Sequence, residues 1–148
     1  MQEAVIVSAS RTPIGKFGGA FKDIPASELG ALSIKAALAQ ANINSDEVDE
    51  VVFGNALQTT ESGYTARLAS LGAGIPAEVP TIAINRQCSS GLEAINMAAQ
   101  LIKTGEVDIV VAGGAENMSQ SPYMIGYQAR FDGLRLGDSA LTDTLIKG

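Results

Sequence analysis

Short β-branched runs alternate with longer helix-like segments along most of this chain, and this alternation limits its fold more than any other feature. Strands are predicted at residues 4–9, 50–57 and 81–85, and the segment 107–117 carries a fourth strand. Helices are predicted at residues 27–41, with Ser27 as N-cap, 63–74 and 89–105. Because parallel strands are joined by crossover helices, the pattern predicts an α/β fold with a mainly parallel sheet covered on both faces.

The helix predicted at residues 89–105 is apolar almost all the way round, with hardly any polar face between Glu93 and Lys103. Such a helix must be buried on all sides, and one sheet covers only one of them. We therefore expect a further layer of protein to cover the rest. After Ala115 the periodic pattern fades and no closing element follows, so we expect the chain to be the first part of a longer fold.

Composition excludes several classes of function. The formal net charge is −6 and the ten basic residues are scattered singly, which is unfavourable for nucleic-acid binding. The single cysteine and the absence of histidine rule out an internal disulfide and a histidine base, and leave little material for a metal site. The first residues do not resemble a secretion signal, and no apolar run is long enough to cross a bilayer. We therefore expect a cytoplasmic protein with no membrane partner and no metal.

Cys88 is the main candidate for chemistry. Free cysteines are often buried and inert, which is one interpretation of this residue. The other is a nucleophile, because Cys88 lies between a predicted strand and a predicted helix, where the helix dipole and backbone N–H groups favour a thiolate and an oxyanion. Small neighbours, Ser89, Ser90 and Gly91, would let a substrate approach. The residues alone leave both interpretations open.

A second candidate is the stretch AGGAEN, which follows the fourth predicted strand. Its paired glycines indicate either a tight turn beside a helix or a place where a ligand approaches the backbone. In a parallel sheet, Cys88 and Glu116–Asn117 would both lie at the carboxyl ends of the strands, where such sheets carry their chemistry. The other glycine-rich stretches do not fit the known phosphate-binding patterns and are interpreted as turns.

Several segments of the sequence resemble the thiolase family. NRQCSSGLEAI resembles the nucleophile segment of thiolases, N-x-x-C-x-S-G. SRTPIGKFGGAF, GGAENMSQSPY and GLRLGDSALTDT resemble other stretches of the same family in the same order, so that the resemblance extends from Ala4 to Gly148. Two residues depart from the family pattern: Ser89, where glycine is common, and Ala115, where a bulkier residue is common.

The resemblance implies an acyl-CoA C-acyltransferase that condenses or cleaves acetyl-CoA and 3-ketoacyl-CoA through an acyl group carried on Cys88. It implies coenzyme A thioesters as substrates, no permanently bound cofactor, a role in lipid metabolism, and a homodimer or homotetramer. It also implies that residues 1–118 are the amino-terminal α/β half and that residues 119–148 begin the CoA-binding loop region. The fold would be thiolase-like, with two stacked halves, and this chain would end before the second.

The family's histidine base, second cysteine and asparagine–histidine oxyanion site belong to later motifs that this sequence does not contain. The 148 residues alone are therefore expected to be inactive. Two other functions stay open: a ketoacyl synthase-type condensing enzyme, which would use two histidines near the cysteine, and a non-catalytic assembly module with a thiolase fold.

Overall fold

A computed structural model describes residues 2–57, 59 and 64–147 of the chain. Its helices and strands follow each other in an alternating order over the first three-quarters of the sequence. They are α1 (Ala26–Ala41), β1 (Glu50–Gly54), α2 (Thr65–Gly72), β2 (Thr81–Ile84), α3 (Ser90–Thr104), β3 (Val110–Gly114), β4 (Tyr123–Ile125), α4 (Gln128–Phe131), β5 (Leu141–Asp143) and α5 (Thr144–Lys147), with 3₁₀ turns at Ser45–Glu47 and Met118–Gln120.

The main sheet has three parallel strands in the order β2-β1-β3. β1 is the central strand, and its last residue, Gly54, lies opposite Ile84 of β2 and Gly114 of β3. The carboxyl ends of all three strands therefore meet at one edge of the sheet. The predicted α/β fold with a parallel sheet is confirmed.

Helices cover both faces of this sheet, as predicted, because the residues of β1 point alternately to the two sides. Val51 and Phe53 belong to an apolar core shared with α1 and α2, which also pack against each other. Val52 lies on the opposite face, in a smaller core with Ile84 and Ala94 of α3. Two separate cores thus fix α3 on one side of the sheet and α1 and α2 on the opposite side.

The strand predicted at residues 4–9 is wrong. The described part of this segment has no regular secondary structure, and Ile6 is 78% exposed. Its fixed contacts run to α1 instead: the hydroxyl of Ser8 donates to the carbonyl of Ala37 at 2.8 Å, and that of Ser10 to the carbonyl of Ser33 at 2.5 Å. A cleft of about 1070 Å³ lies between this segment, α1, α3 and β3. A strand needs a neighbouring backbone as partner, and β3 lies across the cleft.

Except for α1, the other predicted elements have shorter bounds in the structure. β1, β2 and β3 end before the polar residues that the sequence included, because the chain turns there to form loops. α1 begins at Ala26, one residue early, since the carbonyl of Pro25 accepts from the N–H groups of Glu28 and Leu29. Pro25, and not Ser27, is therefore the N-cap. Gly63, the predicted start of the second helix, lies outside the described residues.

After Ala115, where the periodic pattern of the sequence fades, the structure still has short helices and strands. β4 and β5 form an antiparallel pair in which Tyr123 lies opposite Asp143. The two strands have three residues each, too few for a periodic pattern to show in the sequence. The predicted boundary between residues 118 and 119 stays a prediction.

Helix α3 is only partly covered in this structure. Ala94 and Ala98 are buried against the sheet, whereas Leu92 is 62% and Ile95 is 42% exposed. The sheet thus covers one side of this helix only, as predicted, and the apolar outer face of α3 lies open in the described chain. No helix in the described part of the chain has the length and apolar character to cross a membrane.

We expect Glu50→Gln to stabilise the fold at neutral pH. Partial burial, and then the nearby charge of Glu106, raise the pKa of Glu50 above its usual value of 4.5. The folded chain thus binds this proton more tightly than the unfolded chain, and ionisation of Glu50 costs stability above the raised pKa. Thermal melts should show a higher midpoint for the variant at pH 7 and no difference below about pH 4. An equal gain at both pH values, or the same gain in the exposed control Glu78→Gln, would contradict this.

Candidate functional site

Three loops meet at the carboxyl edge of the parallel sheet. The loop after β1 starts at Asn55, whose N–H donates to the carbonyl of Ile84 at 3.1 Å. The loop after β3 starts at Ala115, whose N–H donates to the carbonyl of Gly54 at 3.1 Å. The loop after β2 carries Cys88. The structure therefore places Cys88 and Glu116–Asn117 at the same edge, as the sequence predicted.

Cys88 is exposed and immediately precedes Ser89, the N-cap of α3. The interpretation of this thiol as a buried core filler is therefore wrong. The turn that presents it is unusual, because Gln87 has a positive φ of 54°. Residues other than glycine rarely adopt this conformation, so the surrounding contacts must hold it in place.

Two side chains hold the turn before Cys88. The Oδ1 atom of Asn85 accepts from the N–H of Gln87 at 3.0 Å. The buried hydroxyl of Ser90 donates to the carbonyl of Gln87 at 2.6 Å and accepts from the N–H of Arg86 at 2.9 Å. Gln87 is thus fixed on both its N–H and its carbonyl side. The sequence singled out Ser90 only for its small size and missed this role.

The start of α3 offers fewer free N–H groups than its sequence suggested. The N–H of Ser89 donates to the carbonyl of Arg86 at 3.2 Å, and the N–H of Ser90 donates to the carbonyl of Gln87 at 3.0 Å. These two donors are engaged within the turn and are not available to hold an oxyanion. The side chain of Arg86 also pairs with Glu93 at 3.0 Å across the first turn of α3.

Gly54 allows α3 to approach the end of β1 closely. A Cβ atom at this position would lie 2.6 Å from the carbonyl carbon of Ser90 and 2.7 Å from the nitrogen of Gly91. Both are backbone atoms, which cannot move aside without shifting the helix. Because only glycine fits, the turn that carries Cys88 lies directly against the central strand.

Glu116 holds the loop after β1. Its carboxylate accepts from the Nδ2 of Asn55 at 2.7 Å, from the N–H of Ala56 at 2.9 Å and from the N–H of Leu57 at 3.1 Å. The stretch AGGAEN is therefore more than a tight turn, since its carboxylate binds a neighbouring loop. The sequence did not single out Asn55, although its position at the end of a strand was a usable signal.

Asn117 has a different role from Glu116. Its Nδ2 donates to the carbonyls of Phe21 at 2.9 Å and Ile24 at 2.7 Å, and its Oδ1 accepts from the N–H of Ser119 at 3.0 Å. This buried side chain ties the loop before α1 to the loop after β3. All three of these partners are backbone atoms, so we interpret Asn117 as part of the scaffold.

A model of the thiolase N-terminal domain family matches residues 4–148. The chain belongs to the thiolase family. An acetyl-CoA acetyltransferase of Cupriavidus necator is 49% identical over 146 residues, which are 99% of this chain and 37% of that protein. A probable acetyl-CoA acyltransferase of Staphylococcus aureus is 46% identical over 146 residues, with the same coverage. The chain thus spans about 37% of the length of these thiolase relatives.

The thiolase resemblance of the four sequence segments is thereby confirmed, and with it the fold class. In the structure, three of these segments surround the carboxyl edge of the sheet: the Cys88 segment, the stretch around Glu116, and the amino-terminal segment that Asn117 contacts at Phe21. The two departures from the thiolase pattern, Ser89 and Ala115, lie in the two loops at this edge.

We expect Gly54→Ala to displace the nucleophile turn. The added methyl group would overlap the backbone of Ser90 and Gly91, and overpacking of this kind typically costs about 1–3 kcal/mol. Urea denaturation of the unaltered protein and of Gly54→Ala measures this loss in the free energy of unfolding. Gly113→Ala is the matched control, because its Cβ would meet only Phe53 at 3.6 Å, an ordinary contact. Equal losses for the two variants would contradict the tight approach described here.

Proposed function

We propose that this chain is the amino-terminal, nucleophile-bearing part of a thiolase, an acyl-CoA C-acyltransferase. The observation that carries the proposal is an exposed Cys88 on a strained turn at the carboxyl edge of a parallel sheet, in a chain that belongs to the thiolase family. The names of its relatives, acetyl-CoA acetyltransferase and acetyl-CoA acyltransferase, support the same chemistry. None of these names favours a ketoacyl synthase or a non-catalytic module.

The first half-reaction is acyl transfer to Cys88. Its sulfur, as thiolate, attacks the carbonyl carbon of an acyl-CoA, a carbon–sulfur bond forms, and the thiolate of CoA leaves with the bonding pair. Exchange of one thioester for another is nearly isoenergetic, so the acyl group stays activated. The exposure of Cys88 and the small residues that follow it give the thioester access to the sulfur.

The second half-reaction joins two acyl units. An acetyl-CoA that has lost an α-proton attacks the acyl carbon on Cys88, a carbon–carbon bond forms, and the cysteine leaves as thiolate. The proton acceptors for both halves are proposed to come from outside these 148 residues, because the chain has no histidine and only one cysteine. The oxyanion donors are proposed to come from there as well, since the N–H groups of Ser89 and Ser90 are engaged.

The finer assignments are also proposals. We propose acetyl-CoA as the preferred substrate, on the names of the relatives, and no permanently bound cofactor, because thioester exchange requires none. We further propose a role in lipid metabolism in the cytoplasm and assembly into a homodimer or homotetramer. The β4–β5 pair and its surroundings, residues 119–148, are proposed to contribute to CoA binding.

Replacement of Cys88 should abolish the covalent intermediate. In the complete protein, Cys88→Ser should lower the rate of acetyl-enzyme formation from acetyl-CoA at least about a thousandfold, because a hydroxyl is a far weaker nucleophile than a thiolate. Quenched-flow mass spectrometry of the peptide that contains Cys88 measures this rate.

The matched control is Ser89→Gly, which removes the hydroxyl next to Cys88 and introduces the residue that is common at this position in thiolases. It should keep the acetylation rate close to that of the unaltered protein. Undiminished acetylation of Cys88→Ser, or an acetyl group on another residue, would contradict the assignment of the nucleophile.

The 148-residue chain alone should associate in solution. Leu92 and Ile95 on α3 are exposed, together with Val5, Ile6 and Val7 beside the cleft, and exposed apolar surface of this extent favours association. Light scattering should therefore give a mass above 15.2 kDa, and the double variant Leu92→Ser/Ile95→Ser should shift it downward. A monodisperse 15.2 kDa monomer would contradict this expectation.

A further inference from the structure

The carboxylate of Glu116 is connected to the turn before Cys88 by a continuous series of hydrogen bonds. It accepts from the N–H groups of Ala56 and Leu57 and so fixes the loop after β1. The carbonyl of Ala56 in turn accepts from the Nδ2 of Asn85 at 3.0 Å. The other end of the same Asn85 amide accepts from the N–H of Gln87. The carbonyl of Ala56 and the N–H of Leu57 belong to the same peptide group, and the Asn85 donor and acceptor belong to the same side-chain amide.

This series orients the amide of Asn85. An amide has a donor end and an acceptor end, and both are used here, the first on Ala56 and the second on Gln87. A shift of the Ala56 carbonyl therefore draws Asn85 away from the N–H of Gln87. Gln87 has a positive φ that contacts must maintain, so loss of this bond lets the turn relax and moves Cys88.

Only a carboxylate fits at position 116. Its three hydrogen-bond partners among the described residues are N–H donors, from Asn55, Ala56 and Leu57, and they approach both oxygens. The glutamine side chain has one oxygen and one NH₂ group, so Glu116→Gln would set a donor against a donor. The orientation of the Asn55 amide agrees, because its Nδ2 also donates to the carbonyl of Ala115 at 3.0 Å.

We propose that Glu116 is a positioning residue for the nucleophile, acting on Cys88 through Ala56 and Asn85. The proposal rests on the proposed function, since it assigns Glu116 a part in the acylation of Cys88. Glu116 touches neither Cys88 nor, in this account, the substrate. Its effect is to keep the thiolate in the geometry for attack, so it should influence the rate of acylation more than the affinity for acyl-CoA.

The chain provides a matched control at the opposite end of the same two strands. The Oδ2 of Asp49 accepts from the N–H groups of Asp108 and Ile109 at 2.9 and 2.8 Å, and so ties the start of β3 to the start of β1. Asp49→Asn weakens a carboxylate-to-backbone contact of the same kind, remote from Cys88. This variant therefore shows what the weakening of such a contact does when the contact is not connected to Cys88.

The experiment compares Glu116→Gln, Asn85→Ala, the double variant and Asp49→Asn in the complete protein. Hydrogen–deuterium exchange of peptides covering residues 55–57 and 85–88 reports the geometry without any need for activity. Quenched-flow measurements of acylation at several acetyl-CoA concentrations give the rate constant of acylation and the acetyl-CoA concentration at half-saturation. We expect faster exchange in both segments and an acylation rate lower by about tenfold to a hundredfold in Glu116→Gln, with half-saturation changed less than about threefold.

Asn85→Ala should give a similar loss, and the double variant should be no slower than the slower single variant, because both changes break one series of bonds. Asp49→Asn should leave exchange at residues 85–88 and the acylation rate unchanged. The proposal is overturned by unchanged exchange at residues 85–88 in Glu116→Gln, by an acylation rate within twofold of the unaltered protein, or by losses that multiply in the double variant.

Failure of the proposed function gives a separate result. If acetyl-CoA does not acetylate the unaltered protein, that function is wrong, and the part of this proposal that concerns acylation is wrong with it. The exchange measurement still decides whether Glu116 holds the turn. If the unaltered protein is acetylated and Glu116→Gln behaves like Asp49→Asn, only the present proposal is wrong.

Discussion

The close approach of helix α3 to strand β1 at Gly54 is the contact on which the site depends. With no Cβ at this position, the backbone of Ser90 and Gly91 lies against the end of the central strand. The turn that precedes α3 therefore lies over the carboxyl edge of the sheet. It presents Cys88 there, exposed to solvent. The reactive position of the thiol thus follows from a packing requirement in the backbone and not from any one side chain.

Polar contacts at this edge then fix what packing has brought together. Ser90 and Asn85 hold the strained Gln87 from its two sides, and Glu116 holds the neighbouring loop to which Asn85 is bound. Two carboxylates, Glu116 and Asp49, bind backbone N–H groups at opposite ends of β1 and β3. The Asp49 contact at the start of the two strands is structural only. The Glu116 contact lies at their carboxyl ends, the edge of the sheet that carries Cys88.

Sequence patterns predicted the parts of this molecule that local periodicity determines. The alternation of strand-like and helix-like segments was sufficient for an α/β fold, and the strand–helix junction placed Cys88 correctly. The strand expected at residues 4–9 failed because pairing depends on a partner distant in sequence, and the β4–β5 pair was missed because its strands are short. The contacts of Glu116 join residues about 60 positions apart, so no local pattern revealed them.

A crystal structure of the complete protein, trapped shortly after exposure to acetyl-CoA, tests the account most directly. We expect an acetyl group bonded to the sulfur of Cys88, with Gln87 still at positive φ and the hydrogen bonds of Asn85 and Glu116 intact. An acetyl group on another residue, or CoA bound away from the carboxyl edge of the sheet while Cys88 is unmodified, would contradict the account.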